Sequence, residues 1–455
     1  MTSSPESLSE ELAQFVHAVS IKTLPVEVVE KTKLCILHQI GMALAGTAQR
    51  HAKIASRIVL SAGGAQEATA ILGGGKVPAL EAAFSNGVLF HARVQDDTYL
   101  TTHIGTVVIP VVLALAQLRR QSGAEVIAAL VAGYEVAAAL SRAYNEASTK
   151  RGFRASTLYG TIGAAAASAR ILGLDVIRTA HTIGAAASFA FGTVEPFGAG
   201  SDEFRFHNGV AARNAMLMAL LAQQGMVAAK SAFEGAGGFL HAFADATAAA
   251  PSSRRPLGVN YEILKVNFKP YPICAGNQTP FLNGNMLREK IGEVRDAALF
   301  VAVEIEMNPY EANHPGIANC GPFETDVQRL MSAPYAVAHA LLGRPITLAS
   351  LSAPVDEQVL ALAKKTSVTA AADLKMLTSR LHATIADGRD FYHTFVPPAE
   401  LFRYSWERED ELLFDLLPEM PIDRYRLMAI SAQVRSLETA GNLDELMELI
   451  AVPLG

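Results

Sequence analysis

The stretch Ser156–Leu172, STLYGTIGAAAASARIL, settles the fold class. Its block Ala164–Ala169 carries almost no side-chain bulk, and Ala186 and Ala187 continue the texture in the next segment. Side chains this small let helix axes come close together. A helix that is apolar on every side belongs inside a protein. The stretch therefore predicts the centre of a helical bundle.

The neighbouring segments fit that bundle. Ser7–Ala18 opens with Ser7 and Glu10 at capping-box separation and sets Leu8, Leu12, Phe15 and Val16 at helical spacing. Pro25–Gly46 begins with a proline suited to a first helical turn and lines Val26, Val29, Leu34, Leu37 and Ile40 along one side. Ala79–His91, Thr106–Ser122, Ala124–Ala147, Asp175–Phe191 and His207–Gln224 are expected to be helices too. The texture changes near Pro256. Tyr261–Phe268 and Ala298–Met307 partly alternate apolar and polar residues, the period of a half-buried strand. Asp387-Gly388 between Leu381–Ile385 and Arg389–Phe395 is a hairpin signal. Helices are expected at Thr279–Ile291, Asp326–Leu342 and Asp356–Lys364. The organisation expected is mainly α: a large all-helical domain over residues 1–264, with 396–455 packing back on it, and a smaller α+β domain over 265–395.

Half of the 455 residues are hydrophobic and 18% are charged, ample material for a large core. The net charge is −6 and no Lys/Arg run stands out, so no nucleic-acid partner is expected. Cys35, Cys274 and Cys320 are far apart and form no CxxC, as in a reducing compartment. The acidic, polar N-terminus lacks the parts of a signal peptide. The most apolar stretches, Thr106–Gln117 and Val126–Val136, stop short of the ~20 residues a membrane span needs. A cytoplasmic protein with no membrane partner is expected.

Chemistry-bearing residues gather in a few segments. Asn86-Gly87, His91, Asp96-Asp97-Thr98 and His103 crowd one stretch between two apolar helices. Gly152-Phe153-Arg154 leads to Tyr159-Gly160, and Arg205, His207 and Gly209 follow a glycine-rich loop. A helix starting near His207 would offer unpaired N–H groups to an anion. Phe268-Lys269-Pro270-Tyr271-Pro272-Ile273-Cys274 runs on to Asn277-Gln278, with two prolines fixing the backbone. Tyr335 stands in Ser332-Ala333-Pro334-Tyr335, and His314-Pro315 precedes it. Rival signatures fail. There is no HExxH and no zinc-spaced Cys/His cluster, Gly73-Gly74-Gly75-Lys76 lacks the spacing of a P-loop, and no GxGxxG or GxSxG appears.

In this order the segments resemble the MmgE/PrpD family, over residues 7 to 400. Several positions depart from its pattern. Val94 stands in place of an Asp, Arg154 in place of a common His, Phe204 in place of a Lys, and Asn277-Gln278 in place of a Thr-His pair. The resemblance implies a homodimer whose all-helical domain carries an α+β lid, needing no cofactor and no metal. It implies a lyase, dehydratase or decarboxylase, that abstracts or delivers a proton beside a carboxylate of a small di- or tricarboxylate. An epimerase of a substrate such as iminodisuccinate is the alternative, and a non-catalytic carboxylate-binding homologue is another. The catalytic residues expected are His103, Asp97, Lys269 and Tyr335. Asp96, Thr98, Arg154, Tyr159, Arg205, His207, Cys274 and Gln278 are expected to bind substrate.

Overall fold

A computed structural model describes residues 6–246, 253, 256–292 and 296–455. The chain forms two compact units. One comprises Met1–Thr193, Arg205–Phe268 and Arg403–Gly455; the other comprises Val194–Phe204 and Lys269–Phe402. The segment Val194–Phe204 reads in the sequence as a loop of the helical domain. It belongs instead to the second unit, whose long stretch runs from 269 to 402 rather than from 265 to 395.

The first unit is helical. At its centre the Ala155–Ile171 helix is buried at every residue except Arg170. It packs on the helices Gly105–Arg119, Gly123–Lys150 and Val176–Ser188. Ser7 and Glu10 form the expected capping box at the start of Leu8–Ala18. The helix Gly123–Lys150 runs 28 residues, further than the sequence indicates, and is long and apolar enough by composition to cross a membrane; here its apolar stretch is buried within the unit. Two expectations need correction. Arg50–Ala62 forms a helix that was not anticipated. Tyr261–Phe268 is not a full strand: Glu262–Lys265 turns as a 3-10 helix, and only Asn267–Phe268 is extended. Glu262 is buried and bonded to Tyr99 and Arg142, which draws this polar position inward against the alternation.

The second unit holds a four-stranded sheet in the order Thr366–Ala370, Phe300–Met307, Ser379–Ile385, Asp390–Phe395. The first pairing is parallel and the other two antiparallel. The hairpin turns at Asp387-Gly388, where Gly388 takes φ +88°. Leu381, Ala383 and Ile385 are buried in strict alternation, the mark of a sheet with one covered face. The helix Gln278–Ile291 packs on this sheet and on Ala333–Leu341. The helix expected over Asp326–Leu342 breaks at Ser332, whose hydroxyl accepts from the Tyr335 N–H and caps a second helix with Pro334 in its first turn.

Glu135, inside the Gly123–Lys150 helix, shows what the bundle does to an acid. Its Oε1 accepts the Ile263 N–H at 3.0 Å, while Oε2 is buried without a hydrogen-bond partner. Burial pushes its pKa from 4.5 up to about 7. The folded value lies above the unfolded one, so the stabilisation is complete below about pH 4.5 and is lost as the pH rises through 7. Relative to Glu135→Gln, the wild type should lose on the order of 3 kcal/mol between pH 4.5 and 8. Denaturant unfolding of both proteins across that range measures it, and parallel pH profiles would refute it.

Candidate active site

The site grows from the turn that follows the Ala79–Phe90 helix. His91 caps that helix, and Val94 then enters the left-handed region at φ +54°. A β-branched residue pays about 1–3 kcal/mol for that conformation, and such strain gathers at functional turns. Asp97 and Thr98 come next, paired antiparallel with Phe268 and Asn267. Successive side chains of extended chain point to opposite sides. Asp96 and Asp97 accordingly enter different networks.

Asp97 accepts hydrogen bonds from Gln39 Nε2 at 2.6 Å, the Tyr134 hydroxyl at 2.6 Å and the Gly105 N–H at 3.1 Å. A Cβ on residue 105 would lie 2.5 Å from the Tyr134 oxygen and 2.6 Å from Asp97, so only glycine fits. Burial raises the Asp97 pKa, and the Tyr134 bond opposes the rise. This carboxylate ties the Val26–Ala45 and Gly123–Lys150 helices to the start of Gly105–Arg119. That is a scaffolding arrangement, with three donors already on a closed-off group.

Asp96 is the bridging group. Its Oδ2 lies 2.5 Å from His91 Nδ1, and its Oδ1 lies 3.1 Å from His103 Nδ1. Behind His91, Arg154 Nη2 stands 2.8 Å from Nε2. A guanidinium only donates, so His91 Nε2 accepts and its proton sits on Nδ1, facing Asp96. Burial holds the His91 pKa down to about 3, with Asp96 opposing and Arg154 adding to the effect, so the ring is neutral near pH 7. Burial also lowers Arg154 to about 10, which leaves it charged at neutral pH. Asp96 and His91 are shut off from solvent, whereas the His103 side chain is 14% exposed. The bundle's central helix frames this relay. Arg154 is its N-cap residue, and the Ser156 hydroxyl accepts the His103 N–H at 3.0 Å.

Arg205 is buried in the first turn of the Phe204–Gln223 helix, which starts three residues before His207. This helix meets Ala79–Phe90 backbone to backbone: a Cβ on Gly87 would lie 2.9 Å from the Gly209 Cα. The two motif glycines thereby fix where Arg205 stands relative to His91. His207 is half-buried and packs edge-on against Phe191 at 5.8 Å. Tyr159 is buried with its hydroxyl 2.8 Å from Ser148 Oγ, and Thr98 is buried in its short ladder. Among the expected residues of this unit, Asp96, His103 and Arg154 share one connected relay with His91.

In the second unit Lys269 and Cys274 belong to one loop, and Gln278 opens the helix that follows it. Gln278 Nε2 donates to the carbonyls of Tyr271 and Ile273, fixing the loop's shape, and burial raises the Cys274 thiol. Tyr335 lies among the rings of Phe323 and His339 with its hydroxyl 3.3 Å from the Ser350 carbonyl. His51, near Arg205 and His91, was not singled out in the sequence, because the helix that carries it was not anticipated.

The ligand atoms of His91, Asp96 and His103 lie within 4.8 Å of one another, so these are residues that could hold a metal. The hydrogen bonding fits an ion poorly. Arg154 places a proton on His91 Nδ1, and the 2.5 Å approach to Asp96 leaves little room for an ion held about 2.0–2.2 Å from each ligand. The cluster has the geometry of a proton relay.

An alanine-rich helical unit, a second α+β unit formed within the same chain, and a buried His–Asp–His relay define the class of protein. The chain belongs to the MmgE/PrpD family: residues 10–251 match the MmgE/PrpD N-terminal domain. It is 24% identical over 475 residues to the cis-aconitate decarboxylase-like protein oryM of Aspergillus oryzae, covering 99% of this chain and 98% of that one. It is 23% identical over 475 residues to a cis-aconitate decarboxylase of Aspergillus terreus, covering 98% and 96%. With the human cis-aconitate decarboxylase it shares 29% identity over 247 residues, and this match spans about half of either chain, 51% and 50%. Lyase chemistry of the decarboxylase type is therefore present among its relatives.

The relay makes a spectroscopic prediction. In ¹⁵N-edited spectra His91 should stay neutral with Nδ1 protonated from pH 8 down to pH 4, and in the Arg154→Ala protein, where Asp96 still holds the Nδ1 proton, protonation of the ring should move to higher pH. A His91 ring that titrates near pH 6.5, or carries its proton on Nε2, would contradict the assignment.

Proposed function

We propose that the protein is a cofactor-independent lyase acting on a small di- or tricarboxylate, with decarboxylation as the favoured reaction. The observation that carries this reading is His103 with its Nδ1 3.1 Å from a buried carboxylate, which a second, neutral imidazole meets at 2.5 Å with a guanidinium behind it. A base oriented by a third group is the recurring form of an acid–base site. The names of the chain's relatives favour decarboxylation over dehydration.

The reading assigns roles as follows. With Nδ1 turned to Asp96, His103 exchanges its proton through Nε2. In a decarboxylation the C–C bond breaks, carbon dioxide leaves, and the electron pair stays on the carbon beside a remaining carboxylate. His103, protonated, then delivers the proton to carbon. In a dehydration the same nitrogen removes a proton while hydroxide departs. A positioned acid or base supplies ~10²–10⁴-fold, roughly 3–5 kcal/mol. Enzymes remove about 8–23 kcal/mol in all, so the larger share falls to positioning and to charge opposite the growing anion. Arg205 is the substrate anchor in this scheme. Arg154 holds His91 and adds positive charge. The acid–base role expected of Asp97 passes to Asp96, because three donors already engage Asp97.

A panel of di- and tricarboxylates that includes cis-aconitate, followed by NMR in D₂O, tests the reading. One member should lose carbon dioxide or water. His103→Ala and Asp96→Asn should each lower kcat/KM by at least ~10² with the fold retained. Near-normal turnover by His103→Ala would remove its role. Deuterium exchange at a stereocentre without loss of mass would replace the lyase by an epimerase, and binding without turnover would leave a carboxylate-binding homologue.

A further inference from the structure

The backbone of His103 is held from two sides. Its N–H donates to the Ser156 hydroxyl at 3.0 Å, and its carbonyl accepts from the Thr106 hydroxyl at 2.8 Å. Thr106 Oγ1 in turn accepts from Asn208 Nδ2 at 2.7 Å. A hydroxyl has one proton, and Thr106 gives it to the His103 carbonyl, so Asn208 presents its NH₂ rather than its oxygen. Thr106 and Asn208 are both fully buried. Asn208 Oδ1 is left there without a hydrogen-bond partner. An apolar side chain of similar shape would avoid that cost, so packing alone does not account for an asparagine at this position.

We propose that Asn208 is a positioning residue for His103: through Thr106 it ties the peptide of the proton-transferring histidine to the helix turn that carries Arg205. This rests on the acid–base reading above and deepens it. Arg205 and Asn208 are three residues apart on the Phe204–Gln223 helix, a spacing that puts them on one face. That turn is itself fixed against the Ala79–Phe90 helix. A Cβ on Gly87 would lie 2.9 Å from the Gly209 Cα and 3.2 Å from the Asn208 carbonyl oxygen. The substrate anchor of the scheme and the tether of its base therefore share one rigid turn. From the other side His103 is held by Ser156, on the helix that Arg154 caps. Asn208 acts through Thr106 on the backbone of His103, and the backbone sets where the ring stands beside Asp96.

Three variants of the full chain test this. Asn208→Leu keeps the shape and removes the donor; Thr106→Val removes the hydroxyl, and Thr106→Ser puts it back. With the member of the carboxylate panel that turns over, cis-aconitate first, Asn208→Leu and Thr106→Val should each lower kcat by ~10–10²-fold with KM within about threefold, the loss expected when a reacting group is misplaced by about 1 Å. Thr106→Ser should recover most of that kcat. The Leu–Val double variant should be little slower than the worse single one, since both cut one path. A merely structural role predicts a different pattern: a lower Tm, with kcat per folded molecule unchanged. Imidazole NMR supplies a readout that needs no substrate. The His103 ring signals should broaden or split in Asn208→Leu and Thr106→Val and return towards the wild-type spectrum in Thr106→Ser. Unchanged kcat in the Leu and Val variants, a loss confined to KM, or unchanged His103 signals overturns the inference while the lyase reading stands. If Asn208→Leu does not fold, the Thr106 pair decides. If no di- or tricarboxylate of the panel turns over in the wild type, the lyase reading falls, and the NMR comparison alone decides whether Asn208 positions His103.

Discussion

A single carboxylate, Asp96, organises the candidate site, and the rest of the first unit serves to keep it buried and oriented. An isolated carboxylate in such a place would be too costly to keep charged. The His91 N–H meets it at 2.5 Å, the His103 ring stands 3.1 Å away on its other side, and Arg154 stands behind His91. The order matters. Because Arg154 can only donate, it dictates the tautomer of His91, which in turn presents its proton to Asp96. The electrostatic state of His103 is therefore set partly by a guanidinium it does not meet directly in this chain of contacts.

The fold provides this through close helix packing. The alanine-rich helix that predicts the bundle is also the one whose N-terminal end carries Arg154 and Ser156, the residues that meet His91 and His103. Its positive end faces a region suited to negative charge. The Gly87–Gly209 contact does the same work for Arg205, since neither helix could approach so closely with a side chain between them. Core texture and site geometry thus have one origin, and substitutions that thicken these helices would displace the polar groups at their ends.

How much of this the sequence reveals depends on the range of the interaction. Local signals were legible: the Ser7–Glu10 capping box, the Asp387-Gly388 hairpin and the alanine-rich centre all follow from neighbours a few residues apart. The crowded polar stretch from His91 to His103 was legible as a candidate site for the same reason. The division of labour between Asp96 and Asp97 was not. Adjacent carboxylates look alike in one dimension, and only the ladder with Asn267–Phe268 and the donors Gln39 and Tyr134, far away in sequence, tell them apart. His51 was hidden with its helix, and the placement of Val194–Phe204 in the second unit rests on contacts over a hundred residues distant.

The departures from the family pattern acquire physical meaning in this setting. Phe204 stands where a lysine is usual; it is buried and packs on Phe197 at 5.1 Å, so an apolar contact has replaced a cation. Arg154 works in the opposite sense, since a permanent charge has replaced a group that can lose its own. The two changes compensate in charge but not in chemistry. A lysine can give up a proton when desolvated, and a histidine can do so at neutral pH, whereas a guanidinium can only hold and orient. In the proposed scheme, proton exchange in the first unit is thereby concentrated on His103. If the reaction needs a second proton carrier, the relay through Asp96 and His91 is closed at its far end by Arg154, and the carrier has to approach from the substrate side of His103.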